Sequence, residues 1–298
     1  MIDNKGSISD FKLLLDKKRF EEQIIDGQSG FYDRIEQVFI PNTVFANLFS
    51  TIGPRYQLSE LEIQQMIQIS RKRVSDAIKE IHQNGKDSYA QIFLSYLSHK
   101  FLLENKNQSR NMVILYIDLV GSTALTAILT PEKLSMIIRI FCQEISICIS
   151  QYFGYILKYA GDAVIGYFPE ELHLTKEETS EYAIKCAFYM QQLLDESINE
   201  IFFQSQYPKL KARISLDFGE NQIVILGSEP DLLGHVISRA AKLMSKVSPN
   251  NIIIGDNLFK NLNDEIRKNF PIHDKFMLFE TGEMYSIYIS DNINNNKF

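Results

Sequence analysis

Two aspartates stand at the ends of apolar segments that are typical of β-strands, and this pattern constrains the fold more than any other feature of the sequence. Asp118 follows the run VILYI, and Asp162 lies between LKYAG and the apolar run AVIGYF. Such runs predict strands, so both carboxylates are expected at a strand end or hairpin turn. Two carboxylates brought together can hold divalent cations that stabilise an in-line phosphoryl displacement. Taken singly, either aspartate could simply fill a tight turn.

The composition is that of an ordinary globular protein with an acidic balance. Its 298 residues predict about two domains, and 45% hydrophobic residues are enough for a packed core. The formal net charge is −6, with lysine and arginine scattered along the chain. This distribution argues against a nucleic-acid surface or a polybasic membrane anchor, so we expect neither nucleic acid nor a membrane as a partner.

The cysteines and the first residues favour a cytoplasmic location. Cys142, Cys148 and Cys186 are an odd number without CxxC spacing, and each falls in a helical apolar pattern, which predicts buried free thiols in a reducing compartment. The start, MIDNKGSISDF, has neither a basic segment nor an apolar core. No uncharged apolar run reaches the length expected for a membrane span.

A polar string over residues 104–111 predicts a division between a helical N-terminal region, residues 1–110, and a second domain, residues 111–298. Helical patterns are expected over residues 10–25, 31–49, 58–83 and 88–103. Residues 58–83 have some features of a DNA-binding helix-turn-helix, but the acidic chain and the missing turn glycine favour helices that pack on the rest of the protein. The N-terminal region is thus interpreted as regulatory or as support for a dimer.

The second domain alternates strand and helix patterns in an order that indicates its fold class. Strands are predicted over residues 112–118, 155–160, 163–168, 212–219, 222–227, 251–255, 275–280 and 283–289, and helices over 131–153, 176–202 and about 232–247. The order β-α-β-β-α-β with additions predicts an α+β fold of the ferredoxin-like type, in which helices cover one face of an antiparallel sheet.

Several strings of this domain carry a family resemblance. YIDLVGST, LKYAGDAVIGYF, ARISLDFG and DLLGHVISRAAKL, the last followed by SPNNIIIG, resemble the class III nucleotide cyclase catalytic domain in order and spacing. The resemblance covers about residues 112–260. It implies an enzyme that converts a nucleoside triphosphate to a 3′,5′-cyclic mononucleotide and pyrophosphate.

The resemblance assigns the two aspartates to metal binding. Asp118 and Asp162 would hold two Mg²⁺ or Mn²⁺ ions, with Leu119 among the metal-binding positions. One ion would lower the pKa of the ribose 3′-hydroxyl that attacks the α-phosphate, and the other would neutralise the triphosphate and departing pyrophosphate. The following turn would bind substrate through backbone N–H groups near a helix start, at Val120, Gly121 and Ser122.

Base recognition in the family falls to a lysine and an aspartate, which are Lys158 and Asp231 here. Both positions carry the residue types found in adenylate cyclases, which favours ATP as the substrate. Lysine only donates hydrogen bonds and carboxylate only accepts them, so the pair could also satisfy cytosine or uracil. The alternative is therefore a UTP or CTP cyclase, and small stand-alone cyclases of bacterial antiphage signalling resemble this architecture.

The signature helix departs from the family pattern at its two catalytic positions. The usual asparagine and arginine are replaced by Ser238 and Lys242, which still share one helix face. Lysine provides a point charge where arginine would provide a planar fork, which puts efficiency in doubt. Arg239 lies off that face, and we do not assign it the missing role.

The resemblance also implies a homodimer, with the metal aspartates from one subunit and the base and phosphate residues from the other. A degenerate cyclase that senses nucleotide without turnover is a further alternative. Retention of both metal carboxylates argues against it, because two mutually repelling charges have no use in an inactive pocket.

Overall fold

The structure is a computed structural model that describes residues 15–35, 37–44, 58–79, 89–170, 174–278 and 282–290. Its strands are β1 (Phe20–Ile25), β2 (Gln28–Asp33), β3 (Val38–Pro41), β4 (Ser109–Leu119), β5 (Tyr155–Ala160), β6 (Ala163–Pro169), β7 (Ala212–Leu226), β8 (Glu229–Leu233), β9 (Ile252–Gly255), β10 (Ile272–Met277) and β11 (Met284–Ile289). Its helices are α1 (Glu60–Lys79), α2 (Tyr89–Glu104), α3 (Ser122–Leu125), α4 (Pro131–Gln151), α5 (Lys176–Leu193), α6 (Asn199–Gln204), α7 (His235–Leu243), α8 (Asp256–Asn261) and α9 (Asp264–Arg267), with a π-helical segment (Leu194–Ile198) between α5 and α6.

The central sheet has the predicted ferredoxin-like core. Strand order is β7-β4-β6-β5, every pair in it is antiparallel, and α4 and α5 provide the two crossovers. The sheet continues from β7 through β9 and β11 to β10, with β9 parallel to β7, and β8 pairs with the distal half of β7. The α+β prediction is therefore confirmed, in a mixed sheet of eight strands.

The first part of the N-terminal region is a sheet, and the helices predicted over residues 10–25 and 31–49 are wrong for the described residues up to Pro41, whereas residues 42–44 are helical. Strands β1, β2 and β3 form an antiparallel meander. Asp26 and Gly27, both with positive φ, form the two-residue turn between β1 and β2. An Asp-Gly pair between alternating segments is a strong hairpin signal, and it outweighs the helical pattern here. Helices α1 and α2 confirm the helical prediction for the later part of the region.

Two predicted features of the second domain are also corrected. The strands expected over residues 212–219 and 222–227 form one continuous strand, β7, because Gly219 and the polar residues after it remain extended and paired with β4. The helix expected from about residue 232 begins at His235, and the residues before it form β8.

The two faces of the central sheet have different coverings. On the α4 face, alternate residues of β4 pack in the largest hydrophobic cluster against α4 and α5: Val113, Leu115 and Ile117. On the opposite α7 face, the intervening residues of β4 pack with Val236 and Ala240 of α7: Met112, Ile114 and Tyr116. Because side chains alternate along a strand, Asp118 belongs to the α7 face.

Helix α4 is long and apolar enough to cross a membrane by length and composition, which the sequence analysis did not anticipate. In the structure, 67% of its most apolar window is buried inside the protein. It therefore acts as the core helix of the α4 face.

The N-terminal region packs closely on the second domain. Arg73 of α1 forms a bidentate pair with the buried Glu144 of α4, at 2.8 and 2.6 Å. Ser70 bonds Ser197 in the π-helical segment at 2.7 Å, and both residues are buried. Strand β4 begins at Ser109, and the division of the chain at residue 110 stays a prediction.

Candidate active site

The fold brings Asp118 and Asp162 to the same edge of the central sheet. The pairing of β4 with β6 ends at Ile117 and Val164, so Asp118 follows the last pair and Asp162 precedes it by two residues. Asp162 lies with Gly161 in the two-residue turn that joins β5 and β6. Asp118 and Asp162 therefore lie at the ends of neighbouring strands, which are about 4.8 Å apart.

Asp118 is held by an arginine that the sequence analysis missed. Arg213 of β7 lies opposite Asp118 in the strand register, and its Nη2 and Nε donate to Asp118 Oδ2 at 2.8 and 3.2 Å. The side chains are 36% and 22% exposed, so the pair is open to solvent at the sheet edge. A positive charge within the largely apolar strand ARISLDFG was the available signal.

Asp162 has a buried carboxylate oxygen, Oδ2, without a hydrogen-bond partner. Cys142 of α4 lies nearby, and burial together with the negative charge of Asp162 raises the pKa of its thiol to about 12. A buried carboxylate oxygen without a donor is costly unless a cation or another ligand satisfies it.

These observations fit a hard divalent cation. Asp118 and Asp162 offer carboxylate oxygens, the ligands that Mg²⁺ prefers. Within the described residues, no group of three or more His, Cys, Asp or Glu could complete a metal site, so further oxygen ligands would come from backbone, water or substrate phosphate. A cation at Asp118 would also compete with Arg213 for Oδ2.

Of the three turn residues expected to bind phosphate, Val120 is not available through its backbone. Its N–H donates to the carbonyl of Lys211 at 2.8 Å, which extends the ladder between β4 and β7, so the prediction for its N–H is wrong. Gly121 caps the short helix α3 with φ of 78°, a left-handed conformation suited to glycine, and Ser122 is the first helical residue. Their N–H groups lie at the start of a helix, where the helix itself does not use them.

Lys158 and Asp231 meet directly on the α7 face. Lys158 Nζ lies 2.7 Å from Asp231 Oδ2, and the backbone N–H of Leu232 donates to Oδ1 at 2.8 Å. Asp231 lies in strand β8 rather than at a helix start. Ile223 and Leu232 of the β7–β8 hairpin pack with Ile114 in one cluster, so this hairpin lies against the α7 face and brings Asp231 to Lys158.

Tyr116 lies on the floor of this region. Lys158 pairs with Ile165, and Ile165 pairs with Tyr116, so the three residues form one row on the α7 face. Burial and the charge of Asp231 both raise the pKa of Tyr116, which places the phenol near that carboxylate. Asp118 lies two positions further along β4 on the same face, next to the row that contains Lys158.

Helix α7 presents Ser238 and Lys242 on its exposed face, one turn apart, as predicted. Arg239 points the other way and is buried, with its Nε donating to Asp217 Oδ2 at 2.7 Å. Asp217 is fully buried and also accepts from the hydroxyl of Tyr285 at 2.7 Å. Arg239 therefore belongs to a structural network and does not replace the missing family arginine.

A cleft of about 480 Å³ lies on the other side of the β5–β6 hairpin, between α2, α4 and β5. Its lining includes neither of the two aspartates nor the Lys158–Asp231 pair: Gln91, Pro131, Leu134, Ser135, Ile138, Arg139, Cys142 and Tyr159. Lys158, Ser238 and Lys242 are exposed and Asp231 is half-buried on the α7 face, whereas Cys142, the neighbour of Asp162, lines the cleft.

Comparisons with known proteins identify the family and the relatives of this chain. Residues 104–288 match the adenylate and guanylate cyclase catalytic domain. The chain is 26% identical over 170 residues to a cytidylate cyclase from Escherichia coli, and 28% identical over 177 residues to a cytidylate cyclase from Staphylococcus aureus. An adenylate cyclase from Anabaena cylindrica is 25% identical over 191 residues.

The alignments with the two cytidylate cyclases cover 54% and 57% of this chain but 37% and 41% of those proteins, so the matched region spans about two fifths of their length. The Anabaena alignment covers 60% of this chain and 36% of that protein. Among solved structures, the adenylyl cyclase CyaB from P. aeruginosa superimposes with a TM-score of 0.55 at 18% identity, over 64% of this chain and 98% of that one, which shows a shared fold. Because the family match covers more than half of the sequence, the protein belongs to the adenylate and guanylate cyclase catalytic domain family.

Proposed function

We propose that this cyclase forms a pyrimidine 3′,5′-cyclic mononucleotide, with CTP as its preferred substrate. The contact between Lys158 and Asp231 sets one donor beside one acceptor at 2.7 Å. Cytosine offers the complementary pattern, a ring nitrogen that accepts beside an amino group that donates. The likeness to two relatives named cytidylate cyclase carries the choice of CTP.

ATP is the second candidate substrate. Adenine presents the same acceptor and amino group to a lysine and an aspartate, and one relative is named an adenylate cyclase. The two bases differ in size, so the room between the Lys158–Asp231 pair and the floor formed by Tyr116 and Ile165 would decide between them.

The chemical step is an intramolecular displacement. The ribose 3′-hydroxyl loses its proton to water and its oxygen forms a bond to the α-phosphorus. The bond from that phosphorus to the β-phosphate bridging oxygen breaks, and pyrophosphate leaves. Lys158 and Asp231 would hold the base, while the N–H groups of Gly121 and Ser122 would bind phosphate oxygens. Lys242 would neutralise charge on the departing pyrophosphate, with Ser238 as a hydrogen-bond donor.

Asp118 and Asp162, with Leu119 beside them, would hold the divalent cations. When bound, such cations supply charge neutralisation and activation of the attacking hydroxyl. Arg213, displaced from Asp118, would then be free to contact the triphosphate. The substrate is a cytoplasmic metabolite, and we propose the cytoplasm as the site of action.

The proposed active form is a homodimer with two symmetric sites. The open α7 face, with Lys158, Asp231 and Lys242 accessible from one direction, supports completion of each site by a second copy. Asp118→Ala and Lys242→Ala should each be inactive alone. Mixed and re-equilibrated, they should regain about a quarter of wild-type activity, because half of the dimers would be mixed and each would hold one intact site. No recovery would place each site within one chain.

The substrate is tested by incubating purified protein with each of ATP, GTP, CTP and UTP in Mn²⁺ and identifying products by mass. We expect cyclic CMP as the main product. A dominant cyclic AMP product would establish the second candidate, and no product from any nucleotide would overturn the proposed function.

A further inference from the structure

Helix α2 precedes almost the whole of the matched cyclase region, which begins at residue 104, yet it contacts three strands of the candidate site. These are β5, which carries Lys158, β6, which follows the Asp162 turn, and β8, which carries Asp231. These contacts include aromatic stacking, a polar contact and apolar packing, and they lie on the α7 face.

The contact with β5 and β6 is an aromatic stack. The Phe101 ring lies against Tyr155 with centroids 4.8 Å apart, and Tyr155 stacks on Tyr167 at 5.4 Å. Tyr155 precedes Lys158 by three residues in β5. The hydroxyl of Tyr167 lies 3.1 Å from Ser98 Oγ, and both of those residues are buried, so α2 is fixed to β6 by a polar contact as well.

The contact with β8 has a polar part, in which His99 Nδ1 lies 3.4 Å from Glu229 Oε2, and an apolar part. Leu102 of α2 and Leu232 of β8 are both buried and belong to the same hydrophobic cluster. Leu232 follows Asp231 directly and donates its backbone N–H to that carboxylate. One turn of α2 therefore contacts the strand of Lys158 through Phe101 and the strand of Asp231 through Leu102.

The opposite side of α2 contacts the N-terminal residues. The hydroxyl of Tyr96 accepts a hydrogen bond from the backbone N–H of Asp16 at 2.7 Å, and the ring of Phe20 in β1 meets Tyr96 edge-on at 5.0 Å. Helix α2 thus connects the N-terminal sheet with the base-binding pair.

We infer that α2 sets the spacing between Lys158 and Asp231, with Phe101 and Ser98 as positioning residues that act through Tyr155 and Tyr167. This inference rests on the proposed function and extends it to a helix outside the matched domain. The two side chains must meet neighbouring polar atoms on one edge of a base, so displacement of either strand by a fraction of an ångström weakens both hydrogen bonds. Loss of the α2 contacts should therefore change nucleotide binding, because neither Phe101 nor Ser98 contacts Asp118 or Asp162.

The test measures binding and turnover separately. The dissociation constant of a non-cyclisable CTP analogue is determined by calorimetry, and kcat is determined with CTP. Phe101→Leu should weaken binding about tenfold, as expected for the loss of one good polar contact to the base, and change kcat much less. Phe101→Tyr keeps the stack and should restore binding. Ser98→Ala, a milder change, should weaken binding in the same direction.

Phe93→Leu is the matched control, because Phe93 is a buried aromatic residue of α2 that packs in the other hydrophobic cluster. It should lower the melting temperature as Phe101→Leu does, without weakening nucleotide binding. Equal loss of binding in Phe93→Leu and Phe101→Leu, or unchanged binding in Phe101→Leu and Ser98→Ala, would overturn the inference about α2 and leave the proposed function standing. Failure of the wild-type protein to bind any nucleotide would overturn the proposed function as well.

Discussion

Arg213 holds Asp118 across the β4–β7 pair, with its Nη2 2.8 Å from the Oδ2 of the carboxylate. A cation that binds this oxygen of Asp118 must share it with the guanidinium or displace it. The pair therefore couples metal binding at the sheet edge to the position of a positive side chain.

Replacement of Arg213 should separate these two roles. Arg213→Met removes the competing charge, so Mn²⁺ should bind several-fold more tightly, while turnover should fall because a triphosphate contact is lost. Free Mn²⁺ measured by electron paramagnetic resonance gives the affinity. Arg213→Lys keeps a positive charge, so its Mn²⁺ affinity and its turnover should lie between those of the wild-type protein and those of Arg213→Met. Unchanged Mn²⁺ affinity in Arg213→Met would show that the pair does not compete with metal.

Loss of either carboxylate should abolish turnover. Asp118→Asn or Asp162→Asn should lower kcat at least about a thousandfold, which corresponds to about 4 kcal/mol of transition-state stabilisation. The fold should persist, since both groups lie at a sheet edge. Product is measured by mass and folding by circular dichroism. A variant that keeps near-normal activity would refute the metal role of its residue.

The base-binding pair should affect selectivity more than stability. Lys158 and Asp231 are 47% and 22% exposed, and such pairs contribute about 0–1 kcal/mol to folding. Lys158→Met and Asp231→Asn should each raise KM for the preferred nucleotide about tenfold while the melting temperature changes little. A double-mutant cycle on kcat/KM measures their coupling. Strictly additive effects would indicate that the two residues do not bind the same base.

Lys242 is expected to act on the departing charge. Lys242→Ala should lower kcat more than it raises KM, because charge on the pyrophosphate develops in the transition state. Lys242→Arg supplies the planar fork of the family and should keep or raise kcat. Steady-state kinetics distinguishes the cases, and an effect confined to KM would assign Lys242 to substrate binding instead.

Cys142 provides a readout of Asp162 that does not depend on activity. Its pKa of about 12 leaves little reactive thiolate at pH 8, so alkylation should be slow and should accelerate about tenfold per pH unit below that pKa. Asp162→Asn removes a negative charge that raises this pKa, and labelling should become faster. Peptide mass spectrometry follows Cys142, with the fully buried Cys148 as an internal control. Equal labelling rates in both proteins would contradict the contact.

The sequence predicted the central topology because the strand and helix periodicities of the second domain are regular and the two crossovers are long. The prediction was wrong over β1 and β2, because a helical pattern of apolar residues on either side was given more weight than the Asp26–Gly27 turn. It also missed Arg213, since the partner of a charge in an apolar strand is known only once the strands are aligned. Lys158 and Asp231 were identified by resemblance, whereas their direct contact depends on the way the β7–β8 hairpin lies over the sheet.

The irregularity between Ile156 and Lys158 decides which way the base-binding lysine points. Strict alternation from Tyr155 would point Lys158 towards α4. The register shift against β6 leaves Leu157 as an extra residue without a partner in β6, so Lys158 points to the side of Asp231. A version of the chain that lacked Leu157 would reach the same facing by plain alternation. Homologues should therefore tolerate a one-residue change of length at this point, whereas a similar deletion within β4 would turn Asp118 into the hydrophobic core and end catalysis.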